Sequence, residues 1–278
     1  MSLNSRISHF YDRSTPIWLD TWGEHMHHGY YGADGKTPKD KFQAQIDLVE
    51  ELLKLGNVTQ ARHLLDAGCG VGGSARYLAQ RFGASALGLT LSAVQAREAE
   101  AYTQKAGLSE QVRFQVRDMM TLLPSDGPFD LVWSMESAEH IADKQRLFDM
   151  FYQLLSPGGT LLMATWCHRP MPPELNVREQ ALLQKIYDLY HLPPMVPRQA
   201  LEEMATRAGF TQLRSEDWSQ SVSPFWGEVI RSALTLRSLQ GLLRAGLPTL
   251  KGAWAMRYMN QGYRRGLIEF AVLAAKKS

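Results

Sequence analysis

Cysteine is almost missing from this 278-residue chain: Cys69 and Cys167 are the two it carries. Two thiols build no disulfide framework, and they favour a reducing compartment, the cytoplasm, as the place of work. Charge of one sign is missing too. The chain has 30 Lys and Arg against 28 Asp and Glu, a formal net charge of +2, with no basic block or stripe. That leaves no footprint for a nucleic acid. No run of about 18 apolar residues is present to cross a membrane. The opening Met1-Ser2-Leu3-Asn4-Ser5-Arg6 has neither the apolar heart of a signal peptide nor the look of a transit segment. Internal repeats and low-complexity tracts are absent. What remains is 45% hydrophobic and 10% aromatic. That is ample for the core of one large α/β domain with insertions or a cap.

Leu64-Leu65-Asp66-Ala67-Gly68-Cys69-Gly70-Val71-Gly72-Gly73 is the most informative stretch. It reads as an apolar strand ending in an acid, a glycine-rich turn, then a helix from Gly73 to Phe82. Glycine belongs where backbone turns tightly or lies against a ligand. Gly68, Gly70 and Gly73 also satisfy the spacing of a dinucleotide fingerprint, so the stretch alone leaves a nicotinamide-dependent oxidoreductase open. The next elements separate the two. A second strand, Ser85–Leu89, ends at Thr90, where a nicotinamide fold usually carries Asp or Glu for the ribose. A third, Val112–Val116, precedes Asp118. A fourth, Phe129–Ser134, runs into Glu136 and His140, and Pro157-Gly158-Gly159 turns a helix into a fifth strand, Thr160–Trp166. Polar groups at the carboxyl ends of successive parallel strands are where open α/β sheets bind ligands.

This combination resembles a class I S-adenosylmethionine-dependent methyltransferase. Further segments are similar to one group within it, the tocopherol C-methyltransferases: Trp22-Gly23-Glu24-His25-Met26-His27-His28-Gly29-Tyr30-Tyr31, Trp133-Ser134-Met135-Glu136-Ser137-Ala138-Glu139-His140, Ala164-Thr165-Trp166-Cys167-His168-Arg169, Asp217-Trp218-Ser219 and Pro224-Phe225-Trp226. Ala138 stands where the group often has Gly. The resemblance runs along nearly the whole chain. It implies an α/β fold: a Rossmann-like seven-stranded mixed sheet, helices on both faces, an N-terminal aromatic and His cap, and a helical insertion before the last strand. It also implies S-adenosylmethionine as cofactor, S-adenosylhomocysteine as product and C-methylation of a hydrophobic aromatic or isoprenoid-bearing small molecule. Plant alkaloid N-methyltransferases share the signature, so N-methylation of an indole-type alkaloid is the alternative.

On this reading Asp66, Gly68, Cys69 and Gly70 lie along the methionine and ribose of the cofactor. Thr90, Leu91 and Gln95 replace the acidic ribose ligand, Gln95 both donating and accepting. Asp118 accepts from the adenine amino group while Met119 packs on the ring, and Ser134 and His140 complete the set. Blander readings stand beside these: Gly72 and Gly73 as helix–strand packing, Ser92 as an N-cap, Asp118 as a loop cap.

Methyl transfer is an in-line displacement, so the protein must hold the nucleophile and exclude water. A phenol or indole gains nucleophilicity when a base takes its proton, and attack by an alkene instead forms a cation that aromatic faces stabilise. Catalytic candidates are His140, Glu136 and His28. Glu136 and His140 are four apart, which in a helix would put them on one face within hydrogen-bonding reach; a structural loop pair is the rival. Trp22, His27, His28, Trp166, His168 and Trp226 are candidate substrate contacts. His25, His27 and His28 suggest a metal, but no Cys or carboxylate set completes one, and none is expected.

Residues 1–40 read as a cap or lid and 41–278 as the methyltransferase domain. Within it, 171–209 and 219–265 read as substrate-side insertions. Helices are expected over 41–56, 179–190 and 198–208, and strands over 210–218 and 267–275. Val229, Ile230, Ala233, Leu236, Leu239 and Leu243 follow helical spacing. A core-facing helix is the default there, and peripheral contact with a membrane holding a lipid substrate is the sharper option. Oligomeric state is left open.

Overall fold

The structure is a computed structural model, and it describes residues 3–225, 227 and 247–278. Seven strands form one sheet: β1 (His63–Ala67), β2 (Ser85–Thr90), β3 (Val112–Val116), β4 (Phe129–Met135), β5 (Leu155–His168), β6 (Phe210–Asp217) and β7 (Ile268–Lys277). Their order is β3-β2-β1-β4-β5-β7-β6. β7 runs antiparallel to both β5 and β6, while the first five strands are parallel. Strand order reverses at β1, with β2 on one side and β4 on the other, so the crevice beyond their carboxyl ends is the place for a ligand.

Alternation along the strands sorts the core. Leu64, Leu131, Trp133, Leu162 and Phe270 face one cluster, covered by α2 (Lys41–Leu55), α3 (Gly73–Phe82), α6 (Val177–Tyr190) and α9 (Leu247–Arg264). Leu65, Val132, Leu161 and Leu273 face the other, covered by α5 (Lys144–Leu154) and α7 (Arg198–Arg207). α4 (Ala93–Lys105) follows β2, its N-terminus capped by the Ser92 hydroxyl, which accepts from the Gln95 amide. Within the 171–209 segment, α7 packs on α5 and the β6–β7 edge, whereas the end of α6 reaches the crevice.

β5 starts at Leu155, earlier than the sequence predicts. Leu155 pairs with Phe129 and Thr160 with Leu131, so Pro157, Gly158 and Gly159 fall in a bulge between two ladder rungs.

Residues 3–22 of the N-terminal cap form one helix, α1 (Leu3–Trp22). Pro16 inside it removes one backbone donor. α1 packs against α4 and lies across the crevice. The strap 23–40 then ties down to the domain: the Tyr30 amide donates to the Ala44 carbonyl at 2.7 Å, the Tyr31 amide to Ser221 at 2.8 Å, and Arg76 pairs with Glu24 at 2.6 Å. A short helix, α8 (Ser219–Val222), continues β6. Among the described residues, no helix is long and apolar enough to cross a membrane. The amphipathic pattern from Val229 to Leu243 lies outside the described residues.

Candidate active site

A cavity of about 910 Å³ opens beyond the carboxyl ends of β1, β2 and β4, roofed by α1. That volume lies at the upper end of the usual range for small-molecule sites. Two kinds of wall meet in it. Asp66, Gly68, Cys69, Gly70, Thr90, Leu91, Gln95, Asp118 and Met119 form the sheet side. Phe10, Tyr11, Trp18 and Trp22 of α1, with Trp166 and Tyr190, form an aromatic side.

The glycine turn fits a ligand pressed against backbone. Gly68 sits at φ +96° with the Ser137 side chain where a Cβ would go, and Gly70 at φ +54° with nothing in that space. Both conformations are ones that L side chains resist. Gly72 and Gly73 serve packing: a Cβ would strike the Phe114 ring at the first and the Glu24 carbonyl at the second. Beneath the turn, Ser134 and Ser137 share a hydrogen bond of 2.9 Å, and Ser137 donates to the Ala67 carbonyl at 2.5 Å. Ser134 therefore braces the turn through Ser137 and does not itself line the cavity. Asp66 is buried, and one carboxylate oxygen has no partner among the described residues. Burial pushes its pKa up to about 7, partly offset by the Ala75 amide and Arg76. An unspent buried acceptor beside an open glycine cradle is what a ligand carrying an ammonium and ribose hydroxyls would complete.

Gln95 is buried at the mouth of β2, its side-chain oxygen accepting from the Thr90 hydroxyl at 2.7 Å. Asp118 caps the turn after β3 by accepting from the Met120 amide at 2.9 Å, and its other oxygen accepts from Asn4 of α1 at 2.7 Å. The loop-cap reading of Asp118 and its place on the cavity wall thus hold together.

The expected Glu136–His140 hydrogen bond is not formed. Glu136 has a left-handed φ of +49° and residues 138–140 make a 3₁₀ turn, so the α-helical i, i+4 geometry does not arise. Glu136 instead accepts from the His28 amide at 2.6 Å and pairs with His28 Nδ1 at 2.8 Å. His28 is fully buried, does not line the cavity, and anchors the strap through Glu136. His27 does line the cavity, its Nδ1 bonded to the His28 carbonyl at 2.7 Å. His168 is buried, with Nδ1 on the Arg169 carbonyl at 2.7 Å, and does not reach the cavity. Trp22 and Trp166 do. Trp226 lies outside the described residues. The His25–His28 segment is occupied by protein contacts: His25 with His27 at 3.2 Å, and Gln45 on the carbonyls of both.

Sequence reasoning missed two groups here, Tyr11 and Asp12, and saw a third, Glu139, only as a neighbour of His140. Tyr11 bonds its hydroxyl to His140 Nε2 at 2.8 Å. Asp12 accepts from the Ser92 hydroxyl at 2.5 Å and from the Val94 amide, fastening α1 to the start of α4. Glu139, buried on the cavity wall, accepts from Thr165 at 2.9 Å. The spacing of Ile7, Tyr11, Trp18 and Trp22 is the signal that could have found the helix.

Burial, then the adjacent Glu136 carboxylate, raises Glu139 to about 8. An unfolded Glu titrates near 4. Between those values the folded chain holds a proton the unfolded one has lost, so this group's stabilisation is full below about pH 4 and disappears as pH rises through about 8. Asp66 acts in the same direction. Glu139→Gln should flatten the fall in melting temperature between pH 5 and pH 8, read by thermal unfolding without ligand. Identical slopes in parent and variant would mean Glu139 ionises as freely folded as unfolded.

The sheet order with its antiparallel β7, the glycine turn and the polar wall at the switch point define a class I S-adenosylmethionine-dependent methyltransferase. The model of the mycolic acid cyclopropane synthetase family matches residues 3–222. A probable tocopherol O-methyltransferase, chloroplastic, of Oryza sativa subsp. japonica is 41% identical over 284 residues, covering 99% of this chain and 78% of the rice protein. The tocopherol O-methyltransferase of Arabidopsis thaliana is 38% identical over 288 residues, covering 99% and 83%. The cyclopropane synthase MmaA2 from Mycobacterium tuberculosis shares the fold at a TM-score of 0.85 and 17% identity, covering 99% of this chain and 98% of that one. The chain belongs to the mycolic acid cyclopropane synthetase family of S-adenosylmethionine-dependent methyltransferases, and within it to the tocopherol methyltransferase-like group.

Proposed function

We propose that this enzyme methylates a ring carbon of a hydrophobic phenol or isoprenoid-bearing small molecule, with a tocopherol as the nearest precedent. The observation that carries the reading is the split cavity: a glycine-and-carboxylate wall for the cofactor faces an aromatic wall suited to a flat apolar acceptor. Two buried free thiols suit a reducing compartment, the cytoplasm. Residues 1–40 act as the lid, and Met256 of α9 together with the end of α6 shapes the acceptor side; within the 219–265 segment, 226 and 228–246 lie outside the described residues.

Bound S-adenosylmethionine supplies an electrophilic methyl and one positive charge that transfer removes. Gly68, Cys69 and Gly70 would hold its methionine and ribose, Thr90, Leu91 and Gln95 the ribose, and Asp118 with Met119 the adenine. α1 excludes water, and Tyr11, Trp18, Trp22 and Trp166 position the acceptor ring. His140 takes the phenol proton. Burial first, then Lys144 and His191, hold it down to about 4, so it stays neutral and able to accept at physiological pH. A proton arriving there restores the charge the methyl carried away.

Incubating the enzyme with methyl-labelled cofactor and γ-tocopherol, phenolic, prenylated and indole compounds, followed by NMR of the product methyl, tests the reading. A ring methyl on a phenol supports it. An N-methyl indole product would replace it with the alkaloid reading, and a methoxy product would move the acceptor atom to oxygen, the atom named for the plant relatives.

Gln95→Ala should weaken binding of S-adenosylhomocysteine by about 1–2 kcal/mol, the scale of hydrogen bonds lost in a partly buried site. Titration calorimetry reads it directly; unchanged affinity would leave Gln95 a partner of Thr90 and nothing more.

A further inference from the structure

We propose that Tyr11, on the lid helix, is the group that meets the acceptor's hydroxyl, taking its proton while handing its own to His140. The inference rests on the phenolic acceptor and on His140 as the final base.

Tyr11 and His140 both line the cavity, and the Tyr11 hydroxyl and His140 Nε2 are 2.8 Å apart. Their rings meet edge to face at 5.7 Å and 76°. His140 Nδ1 is buried with no hydrogen-bond partner among the described residues. Either tautomer leaves one buried orphan, at Nδ1, so the chemistry of the two groups assigns the proton between the rings. An imidazole lone pair is a far better acceptor than a phenol oxygen, so the phenol donates to Nε2. The basic lone pair of His140 is then covered by the Tyr11 hydroxyl, and an acceptor's O–H meets Tyr11 oxygen first.

The groups around the pair agree with this direction. Burial, then Glu139, Glu136 and Tyr190, raises the Tyr11 phenol well above its ordinary value, which keeps it protonated as a donor. Lys144 and His191 face His140, and with burial they keep its imidazole neutral as an acceptor.

The step balances. The acceptor's O–H bond breaks and an O–H bond forms at Tyr11; the original Tyr11 O–H bond breaks and an N–H bond forms at His140 Nε2. The electron pair left on the acceptor oxygen delocalises into the ring, where the C–CH₃ bond forms, and the pair of the broken S–CH₃ bond stays on sulfur. The ring hydrogen at the methylated carbon is then lost as a proton, moving to the acceptor oxygen, and His140 releases its proton to water. One proton leaves per turnover. Because Tyr11 rides on α1, the relay is complete only with the lid shut, which ties proton removal to exclusion of water.

Tyr11→Phe, His140→Ala and the double variant, assayed with γ-tocopherol and with chromanols graded in phenol pKa, test this. Tyr11→Phe should lower kcat at least 100-fold, leave the Kd for S-adenosylhomocysteine within about threefold, and lose least on the most acidic chromanol, whose proton needs least help. The double variant should be no slower than the slower single one, as expected of groups acting as a unit. A parental kcat for Tyr11→Phe beside a slow His140→Ala would overturn the relay while leaving His140 as base. Parental rates for both would remove the base reading itself. A Tyr11→Phe variant with weakened S-adenosylhomocysteine binding and unchanged kcat would make Tyr11 a lid fastening and overturn the proposal.

Discussion

His140→Ala should slow methylation about 10²–10⁴-fold at saturating cofactor, the range for loss of a general base. Affinity for S-adenosylhomocysteine should stay near parental. The imidazole stands at the end of the 3₁₀ turn after β4, held by the α1 hydroxyl of Tyr11, and its removal leaves the glycine turn untouched. Its lowered pKa adds a signature: the acid limb of the parental pH–rate profile should fall near pH 4, well below an ordinary histidine. His27→Ala is the comparison, since His27 shares the wall. If His27→Ala costs more turnover than His140→Ala, the base sits in the strap. If neither matters, positioning alone carries the reaction, as it can for alkene or amine acceptors.

Gly70→Val should abolish cofactor binding. At φ +54° and with open cavity where the Cβ would point, a branched side chain would occupy the space a ligand needs. Left-handed backbone also strains valine, so the melting temperature without ligand must be measured beside the calorimetry. Gly70→Ala keeps most of that strain with less bulk, and comparing it with Gly70→Val separates the two effects. Parental binding by a folded Gly70→Val variant would put the cofactor elsewhere than on this turn.

The α1 roof explains why both experiments need the whole chain. Asn4, Tyr11 and Asp12 reach three different strand ends, on Asp118, His140 and Ser92. Each bond is modest, but together they set the helix across the crevice, and its removal would open both halves of the site.

How far sequence alone reaches here follows from which interactions are local. The strand–turn–helix around Gly68–Gly73, the short apolar strands β1 to β4, and helices α2, α3, α6 and α7 are written in short-range patterns, and the structure has them within a few residues. Fold class, cofactor class and family were legible for that reason, as were the cavity positions of Asp66, Gly70, Gln95, Asp118 and His140 at strand ends. What needed tertiary structure was everything fixed by residues far apart in the chain. Glu136 and His140 look like a pair at i, i+4, yet a left-handed Glu136 turns them apart and gives one to His28 and the other to Tyr11, 108 and 129 residues away. His28 and His168 share types and motifs with site residues but are spent on buried hydrogen bonds. α1 stayed hidden because Pro16 interrupts its pattern and its aromatic stripe has no partner until the sheet's carboxyl edge is assembled. Local backbone preference chose the elements; only their packing decided which polar side chains were left to meet a substrate.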